Sequence, residues 1–100
     1  MVPSLSRDTP VVYILSLRSG VFYVGCSTDF EARLREHEHG TACHTTRVDP
    51  PEGLLFVEVQ PDFPTARRRE AQIKRWSRAK KQALVNRDYR LLQQLSRSRE

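Results

Sequence analysis

The order of hydrophobic and polar positions along the chain predicts three β-strands. Residues 11–17 are rich in β-branched side chains and apolar at consecutive positions, which is typical of a central strand covered on both faces. Arg18-Ser19-Gly20 predicts a turn, and residues 21–25 form the returning strand of a hairpin. A third strand is predicted over residues 54–60, which lie between a glycine and a proline.

The first helix is predicted over residues 29–39. Ser27 and Thr28 are both suitable N-cap residues, and a glutamate follows Thr28 at the capping-box spacing. Gly40 ends the helix, because glycine readily adopts the left-handed conformation found at helix C-termini. Residues 41–53 contain two prolines and a glycine, which predicts a polar loop.

Two further helices are predicted after the third strand. A long helix begins at about Thr65 and continues into a basic stretch, and a short leucine-bearing helix follows a break at Arg87-Asp88. The order β-β-α-β-α-α indicates a small α+β fold. We expect a single domain over residues 10–97, preceded by a flexible polar arm at residues 1–9.

The hairpin carries two tyrosines whose relative placement depends on the turn. If the loop has three residues, with Gly20 as its left-handed residue, Tyr13 lies opposite Gly25 and on the same face as Tyr23, roughly 7–8 Å away. Gly25 then leaves room for a ligand or metal to approach the sheet. A two-residue loop would place the tyrosines on opposite faces. Ordinary packing in the core is the alternative interpretation of both side chains.

Two candidate functional residues lie on the first helix. Phe30, Leu34 and His37 share one face at helical spacing, and Arg33 lies beside them. An arginine at the edge of an apolar face is suited to bind a phosphate through two hydrogen bonds. The alternatives are an exposed ion pair for Arg33, with Glu36 or Asp29, and a surface position for His37.

Glu70 is the most informative single residue. It is the only acid between Thr65 and Arg87, and it shares a helix face with Ala66, Ile73 and Ser77. A carboxylate on an apolar face costs several kcal/mol unless something neutralises it. Either a divalent metal or an arginine can do so, and a salt bridge to Arg33 is the structural alternative. A single carboxylate suits Mg²⁺, which keeps several of its water ligands.

The distribution of charge favours a polyanionic partner. The net charge is +5, but residues 1–64 carry five basic and nine acidic side chains, whereas residues 65–100 carry twelve basic and three acidic ones. Such a concentration of positive charge attracts nucleic acid, although a solvated basic helix without a partner is the alternative. The candidate nucleic-acid contacts are Arg67, Arg68, Lys74, Arg75, Arg78, Lys80 and Lys81.

The apolar segments of the chain bear on its location. None is long enough to span a bilayer or to serve as a secretion signal, so we expect Cys26 and Cys43 to be reduced thiols in the cytoplasm.

One group of neighbouring residues contains the residue types that bind zinc: His37, His39, Cys43 and His44. Its spacing matches no standard zinc motif, and the first two histidines point in different directions on a helix.

The chain resembles the GIY-YIG nuclease family over roughly residues 10–97. The family's two strand motifs correspond to Val11-Val12-Tyr13 and Tyr23-Val24-Gly25. The segment Asp29-Phe30-Glu31-Ala32-Arg33 and the following His37 resemble the region of the family's catalytic arginine, and the basic stretch that begins Arg69-Glu70-Ala71 resembles the region of its metal-binding glutamate. The chain is most similar to bacterial members in which this domain stands alone.

The resemblance implies a three-stranded antiparallel sheet flanked by helices and metal-dependent hydrolysis of phosphodiester bonds in nucleic acid, with DNA as the expected substrate. Tyr13 would be the general base toward water, with a pKa lowered by Arg33 and the metal, and Tyr23 would assist it. Arg33 would also stabilise charge on the phosphate, and Glu70 would hold Mg²⁺ or Mn²⁺. His37 would orient a tyrosine or contact the phosphate.

Two departures from the family pattern bear on activity. Val11 and Val12 replace a glycine and an isoleucine, which preserves the strand. Cys26 stands where some relatives carry a lysine, and this leaves open a second interpretation: a nucleic-acid-binding protein of the same fold with weak or lost catalysis. A third is an interaction protein whose basic helices bind an acidic partner.

Overall fold

The computed structural model describes residues 8–97, and within that range the chain forms one sheet and five helices. Its elements are β1 (Val11–Leu17), β2 (Phe22–Ser27), α1 (Phe30–His39), α2 (His44–Val48), β3 (Pro51–Val59), α3 (Phe63–Lys74), α4 (Arg78–Val85) and α5 (Tyr89–Arg97). The sheet is antiparallel with the strand order β2-β1-β3. This confirms the predicted α+β class and the three-stranded antiparallel sheet. Residues 1–7 of the predicted arm lie outside the described residues.

β1 is the central strand because it is apolar on both faces. Val12 and Ile14 are fully buried against apolar side chains of α3 and α4. Tyr13, between them in sequence, points to the opposite face and packs with Phe30 of α1. Burial of each large aliphatic side chain contributes about 1.5–3 kcal/mol to the free energy of folding. Successive residues of β1 therefore stabilise two separate layers, one formed by α3 and α4 and the other by α1.

The hairpin has the three-residue turn that the sequence predicts. Gly20 has a φ of 91°, which glycine adopts without strain. The resulting register pairs Leu15 with Tyr23 and Tyr13 with Gly25. Both tyrosines therefore lie on one face, as predicted for a three-residue loop, and the two-residue loop is excluded. Helix α1 covers this face.

The N-terminus of α1 differs from the prediction by one or two residues. Asp29 is the N-cap, and its side chain accepts a hydrogen bond from the backbone N–H of Ala32. Ser27 instead accepts a hydrogen bond from the N–H of Asp29, so the predicted caps at Ser27 and Thr28 are wrong. Gly40 ends the helix with a φ of 77°, as predicted.

The segment predicted as a polar loop, residues 41–53, contains α2 and the beginning of β3. A helix of five residues is too short for hydrophobic periodicity to reveal. Asp49, which follows α2, accepts hydrogen bonds from both the backbone N–H and the hydroxyl of Ser19 in the hairpin turn. These bonds attach the end of α2 to the sheet.

The predicted long helix is two helices, α3 and α4. Arg75 ends α3, and Ser77 is the N-cap of α4, accepting a hydrogen bond from the N–H of Lys80. Ser77 therefore does not continue the face that carries Glu70. In the described part of the chain, none of the helices has the length and apolar character needed to cross a membrane.

Candidate active site

A buried hydrogen bond between Tyr13 and His37 forms the centre of the candidate site. The Tyr13 hydroxyl lies 2.8 Å from Nε2 of His37, and the two residues are 2% and 1% exposed. Tyr13 comes from β1, whereas His37 lies two turns after Phe30 on the buried face of α1. The alternative of a surface histidine is therefore wrong.

Two residues of the α2 region extend this contact into a chain that ends at the second tyrosine. Nδ1 of His37 lies 2.9 Å from the hydroxyl oxygen of Thr46. That oxygen is 3.5 Å from Sγ of Cys43, and the same sulfur is 3.5 Å from the hydroxyl of Tyr23. Three side chains, those of His37, Thr46 and Cys43, thus connect the hydroxyls of Tyr13 and Tyr23 without a break.

Thr46 was not among the candidates from sequence, and Cys43 was considered only as a reduced thiol or a zinc ligand. Thr46 is fully buried and lies on the short helix that sequence periodicity did not reveal. Its nine-residue separation from His37 crosses a turn and corresponds to no helix or strand repeat. Only the tertiary structure brings these residues together.

Gly25 lets the Tyr13 side chain lie across β2. A Cβ atom at this position would be 2.5 Å from both Cζ and the hydroxyl oxygen of Tyr13. The space that the sequence assigned to a ligand or metal is therefore occupied by the phenol itself. Because β2 is an edge strand, this places the phenol group over the free edge of the sheet.

Arg33 lies at the exposed rim of the tyrosine face. Its guanidinium pairs with Glu36 at 3.3 Å, and the two side chains are 41% and 50% exposed. Such exposed pairs contribute no more than about 1 kcal/mol, so Arg33 can exchange this partner for a phosphate at small cost. Its positive charge acts to lower the pKa values of Tyr13, Tyr23 and His37.

Glu70 reaches the same edge of the sheet from the opposite face. It lies on α3, and Oε1 accepts a hydrogen bond from the Cys26 thiol of β2 at 3.4 Å. Its other oxygen lies 3.2 Å from Nζ of Lys74, so Lys74, and not Arg33, is its ionic partner. The negative charge of Glu70 makes a small contribution that raises the pKa values of both tyrosines.

Burial dominates the ionisation of the two tyrosines. It raises the pKa of Tyr13 well above its usual value near 10, with a further increase from Tyr23, and the charge of Arg33 opposes the rise without cancelling it. Burial likewise raises the pKa of Tyr23, as does its contact with Cys43. Both tyrosines are therefore neutral phenols at pH 7 in the protein alone.

The neighbouring histidine is also neutral at pH 7. Burial lowers the pKa of His37, and the positive charge of Arg33 lowers it further, while Glu36 acts in the opposite direction. A neutral imidazole has one N–H and one unprotonated nitrogen. His37 can therefore accept a proton from a neighbour on one side while it donates a hydrogen bond on the other.

The single carboxylate of Glu70 fits a hard divalent cation that keeps most of its water. The Glu70 side chain is 20% exposed, and its ionic partner Lys74 is 54% exposed and can turn toward solvent. Within residues 8–97, no group of three or more histidine, cysteine, aspartate or glutamate side chains is arranged to hold a metal. One accessible carboxylate is a donor set that Mg²⁺ accepts in phosphate chemistry, whereas structural zinc requires four ligands.

The zinc alternative finds no support in the positions of its residues. Both ring nitrogens of His37 have hydroxyl partners, and Cys43 contacts Tyr23 and Thr46. No zinc-type cluster forms among the described residues.

The seven basic candidates for nucleic-acid contact occupy different environments. Lys80 is 7% exposed, and its ammonium lies 4.6 Å from the centre of the Trp76 ring, so its position supports a role in packing. Arg78 donates a hydrogen bond to the carbonyl of Gly20 and stacks on Phe22, which anchors α4 to the hairpin turn. Lys81 is partly buried. The other four candidates are exposed: Arg67, Arg68, Lys74 and Arg75.

A polar cleft lies between α3 and β3, on the side of α3 away from Glu70. Its volume is about 500 Å³, and its lining contains three arginines, of which Arg69 is paired with Glu58 at 2.9 Å. Arg68 and Arg75 have no acidic partner in this lining. The other lining residues offer amide and hydroxyl groups: Gln60, Thr65 and Gln72.

Comparison with known proteins agrees with this fold. The model of the GIY-YIG catalytic domain matches residues 9–83. A UPF0213 protein of Xanthomonas axonopodis pv. citri is 39% identical over 72 residues, which are 72% of this chain and 71% of that protein. A UPF0213 protein of Halobacterium salinarum is 38% identical over 73 residues, which are 73% of this chain and 95% of that protein. The solution NMR structure of a UPF0213 protein from Bacillus halodurans is similar with a TM-score of 0.52 and 35% identity, over 78% of this chain and 83% of that one.

Proposed function

Because this chain belongs to the family of GIY-YIG catalytic domains, a nuclease family, we propose that it is a metal-dependent endonuclease that hydrolyses phosphodiester bonds in DNA. The observation that carries the proposal is the 2.8 Å contact between the Tyr13 hydroxyl and the unexposed His37. A phenol on a neutral imidazole at a sheet edge, with Arg33 and Glu70 nearby, is an arrangement suited to proton transfer beside a phosphate.

Tyr13 acts as the general base toward water, and His37 makes this possible. The pKa of Tyr13 is raised by burial, so a standing phenolate is not available at pH 7. Instead, the water proton moves to the Tyr13 oxygen as the phenolic proton moves to Nε2 of His37. The water oxygen forms its bond to phosphorus, the leaving oxygen departs with the electron pair of the broken P–O bond, and His37 becomes an imidazolium.

Arg33 and Tyr23 complete the phosphate side of the proposed reaction. Arg33 releases its exposed partner Glu36 and stabilises the charge that develops on the phosphate oxygens. Tyr23 packs edge-on against the His37 ring, with 5.0 Å between ring centroids, and assists in positioning water or phosphate. Both residues reach the site from elements already fixed by the core.

Glu70 is the proposed ligand for Mg²⁺ or Mn²⁺. Its partner Lys74 turns into solvent, which frees one carboxylate oxygen. Bound there, the cation would supply Lewis-acid stabilisation to the phosphate. Cys26 donates its thiol hydrogen to the same carboxylate and helps to hold Glu70 in place.

We also propose that the nucleic acid beside the cleaved bond contacts exposed arginines of α3 and of its C-cap. Arg68 and Arg75 border the polar cleft and are the cations best placed to neutralise phosphates there. Phosphate contacts of this kind fix the position of the backbone without reading sequence. The two free thiols are compatible with a reducing compartment, and we retain the cytoplasm as the proposed location and residues 10–97 as one domain.

A nicking assay tests the endonuclease proposal. Supercoiled plasmid and branched, flapped and single-stranded oligonucleotides are incubated with the protein and Mg²⁺ or Mn²⁺, beside Glu70→Ala and the matched control Glu52→Ala. Glu52 is an exposed acid of β3. We expect cleavage by the wild type and by Glu52→Ala, and its loss in Glu70→Ala. Equal cleavage by Glu70→Ala and the wild type would refute the assignment.

One observation favours a second candidate, a nucleic-acid-binding protein with weak catalysis. Burial keeps both tyrosines protonated, and the residue after Gly25 is Cys26, whose pKa burial and Glu70 raise to about 11. No cation therefore stands at this position to favour ionisation of water or phenol. This candidate predicts salt-sensitive binding to DNA without cleavage of any substrate in the same assay.

A further inference from the structure

We propose that Thr46, oriented by Cys43, fixes His37 as the tautomer that carries its proton on Nδ1. This inference rests on the proposed function, in which Nε2 of His37 receives the phenolic proton of Tyr13. Thr46 is then a positioning residue for the reaction, and Cys43 determines the direction of its hydroxyl.

The contacts of His37 alone do not determine its tautomer. Each ring nitrogen faces a hydroxyl group, Tyr13 at Nε2 and Thr46 at Nδ1, at 2.8 Å and 2.9 Å. A hydroxyl can donate or accept, so either ring nitrogen can carry the proton without leaving a bond unmade. Thr46 and His37 are each 1% exposed, and each ring nitrogen already has a hydroxyl partner, so solvent is not needed to complete these bonds. The direction of these hydrogen bonds must therefore be set by Cys43, the next group in the series of hydrogen-bonded side chains.

Cys43 sets the direction of the hydrogen bonds because several hydrogen-bond donors surround its sulfur. The thiol lies at the start of α2 and makes no side-chain cap hydrogen bond there, although the backbone N–H groups of Thr45 and Thr46 act to lower its pKa. Burial raises the pKa of Cys43, but those N–H groups and the hydroxyls of Thr46 and Tyr23 together lower it below its usual value. Backbone N–H groups can only donate, so the sulfur is the natural acceptor at this point.

The remaining hydrogen bonds follow in order from the sulfur. In the proposed arrangement the Thr46 hydroxyl donates to Sγ of Cys43, 3.5 Å away, so the Thr46 oxygen presents its lone pairs to His37. Nδ1–H of His37 donates to that oxygen, and Nε2 accepts from the Tyr13 hydroxyl. The Tyr13 oxygen can then take a proton from water while its own proton moves inward. In the opposite tautomer, Nε2 would donate to Tyr13 and could not receive its proton.

Nitrogen-15 NMR of the full chain tests this assignment directly. In the wild type we expect a pyrrole-like shift for Nδ1 of His37 and a pyridine-like shift for Nε2. Thr46→Val, which keeps the shape and removes the hydroxyl, is expected to lose that pattern, and Thr46→Ser to restore it. Thr45→Val is the matched control, since Thr45 is the exposed neighbour on the same helix. A wild-type spectrum with the proton on Nε2 would overturn the proposal, whether or not any variant folds.

Activity provides the second measurement. Under single-turnover conditions we expect Thr46→Val to cleave at least about tenfold more slowly, at unchanged affinity for DNA, with recovery in Thr46→Ser. Wild-type rates in Thr46→Val would refute a positioning role. If the wild-type chain cleaves nothing, the proposed function fails, but the NMR spectrum still decides the direction of the hydrogen bonds.

Discussion

The substitution Gly25→Ala should disturb the candidate site without removing any of its polar groups. An alanine Cβ would lie 2.5 Å from the Tyr13 hydroxyl oxygen, whereas ordinary van der Waals contact begins at 3.4 Å. Relief of this overlap requires a shift of about 0.9 Å, the difference between those two distances. Tyr13 is held between Phe30 and His37, so it cannot yield without loss of the 2.8 Å hydrogen bond.

Two quantities follow from this overlap. Overpacking in a close-packed core costs about 1–3 kcal/mol, which in a chain of this size lowers the melting temperature by at least about 4 °C. A displacement of about 1 Å in a catalytic group reduces the rate on the order of 10²-fold. We therefore expect Gly25→Ala to be less stable in denaturant unfolding and far slower in single-turnover nicking.

Gly53→Ala is the matched control for this experiment. Gly53 also lies in a strand, but a Cβ there would meet no atom within 4 Å. The control is expected to keep the stability and cleavage rate of the wild type. If Gly25→Ala behaves like Gly53→Ala in both assays, Tyr13 does not lie across β2 as described, and the geometric basis of the proposed mechanism is wrong.

Three further predictions concern ionisation and charge. Tyr13→Phe removes the proton path to His37 and should reduce cleavage about 10²- to 10⁴-fold while DNA affinity is retained, and equal rates would contradict the base assignment. Burial lowers the pKa of His37 in the folded state, so below the usual histidine pKa of 6.5 the unfolded chain binds more protons than the folded one. The contribution of His37 to stability should therefore be complete above pH 6.5 and decline as the pH falls. His37→Gln should flatten this pH dependence of the free energy of unfolding, measured in urea. Arg68→Ala and Arg75→Ala should each reduce the slope of log affinity against log salt by about 0.9 for duplex DNA, measured by fluorescence anisotropy, whereas the exposed Arg90→Ala on α5 should leave it unchanged.

The sequence predicted the parts of the fold that depend on local signals. The placement of Gly20 favoured a three-residue turn, and strand alternation then predicted Tyr13 and Tyr23 on one face, as the structure has them. Helical spacing likewise placed His37 on the buried face of α1. These features follow from backbone periods and turn geometry, which a single sequence contains.

Features that depend on tertiary packing were not predictable in the same way. The break between α3 and α4 at Trp76 interrupts a stretch of good helix formers, where the ring packs between Arg69 and Lys80. The burial of Lys80 reverses the usual expectation for a lysine in a basic segment. Thr46 became a candidate only when α2 brought it to His37. In each case the packing of side chains in the folded structure outweighed the local pattern.

Tyr13 and Glu70 lie on opposite faces of the sheet at β2, so the candidate site has two halves that different helices hold in place. The half with the proton path depends on α1 and α2, and the half with the carboxylate depends on the seating of α3 on the other layer. A change in the packing of Ile73 beneath α3 would move the carboxylate and leave the phenols in place. In the proposed mechanism, cation affinity and proton transfer are thus separable, and core substitutions can adjust either one without affecting the other.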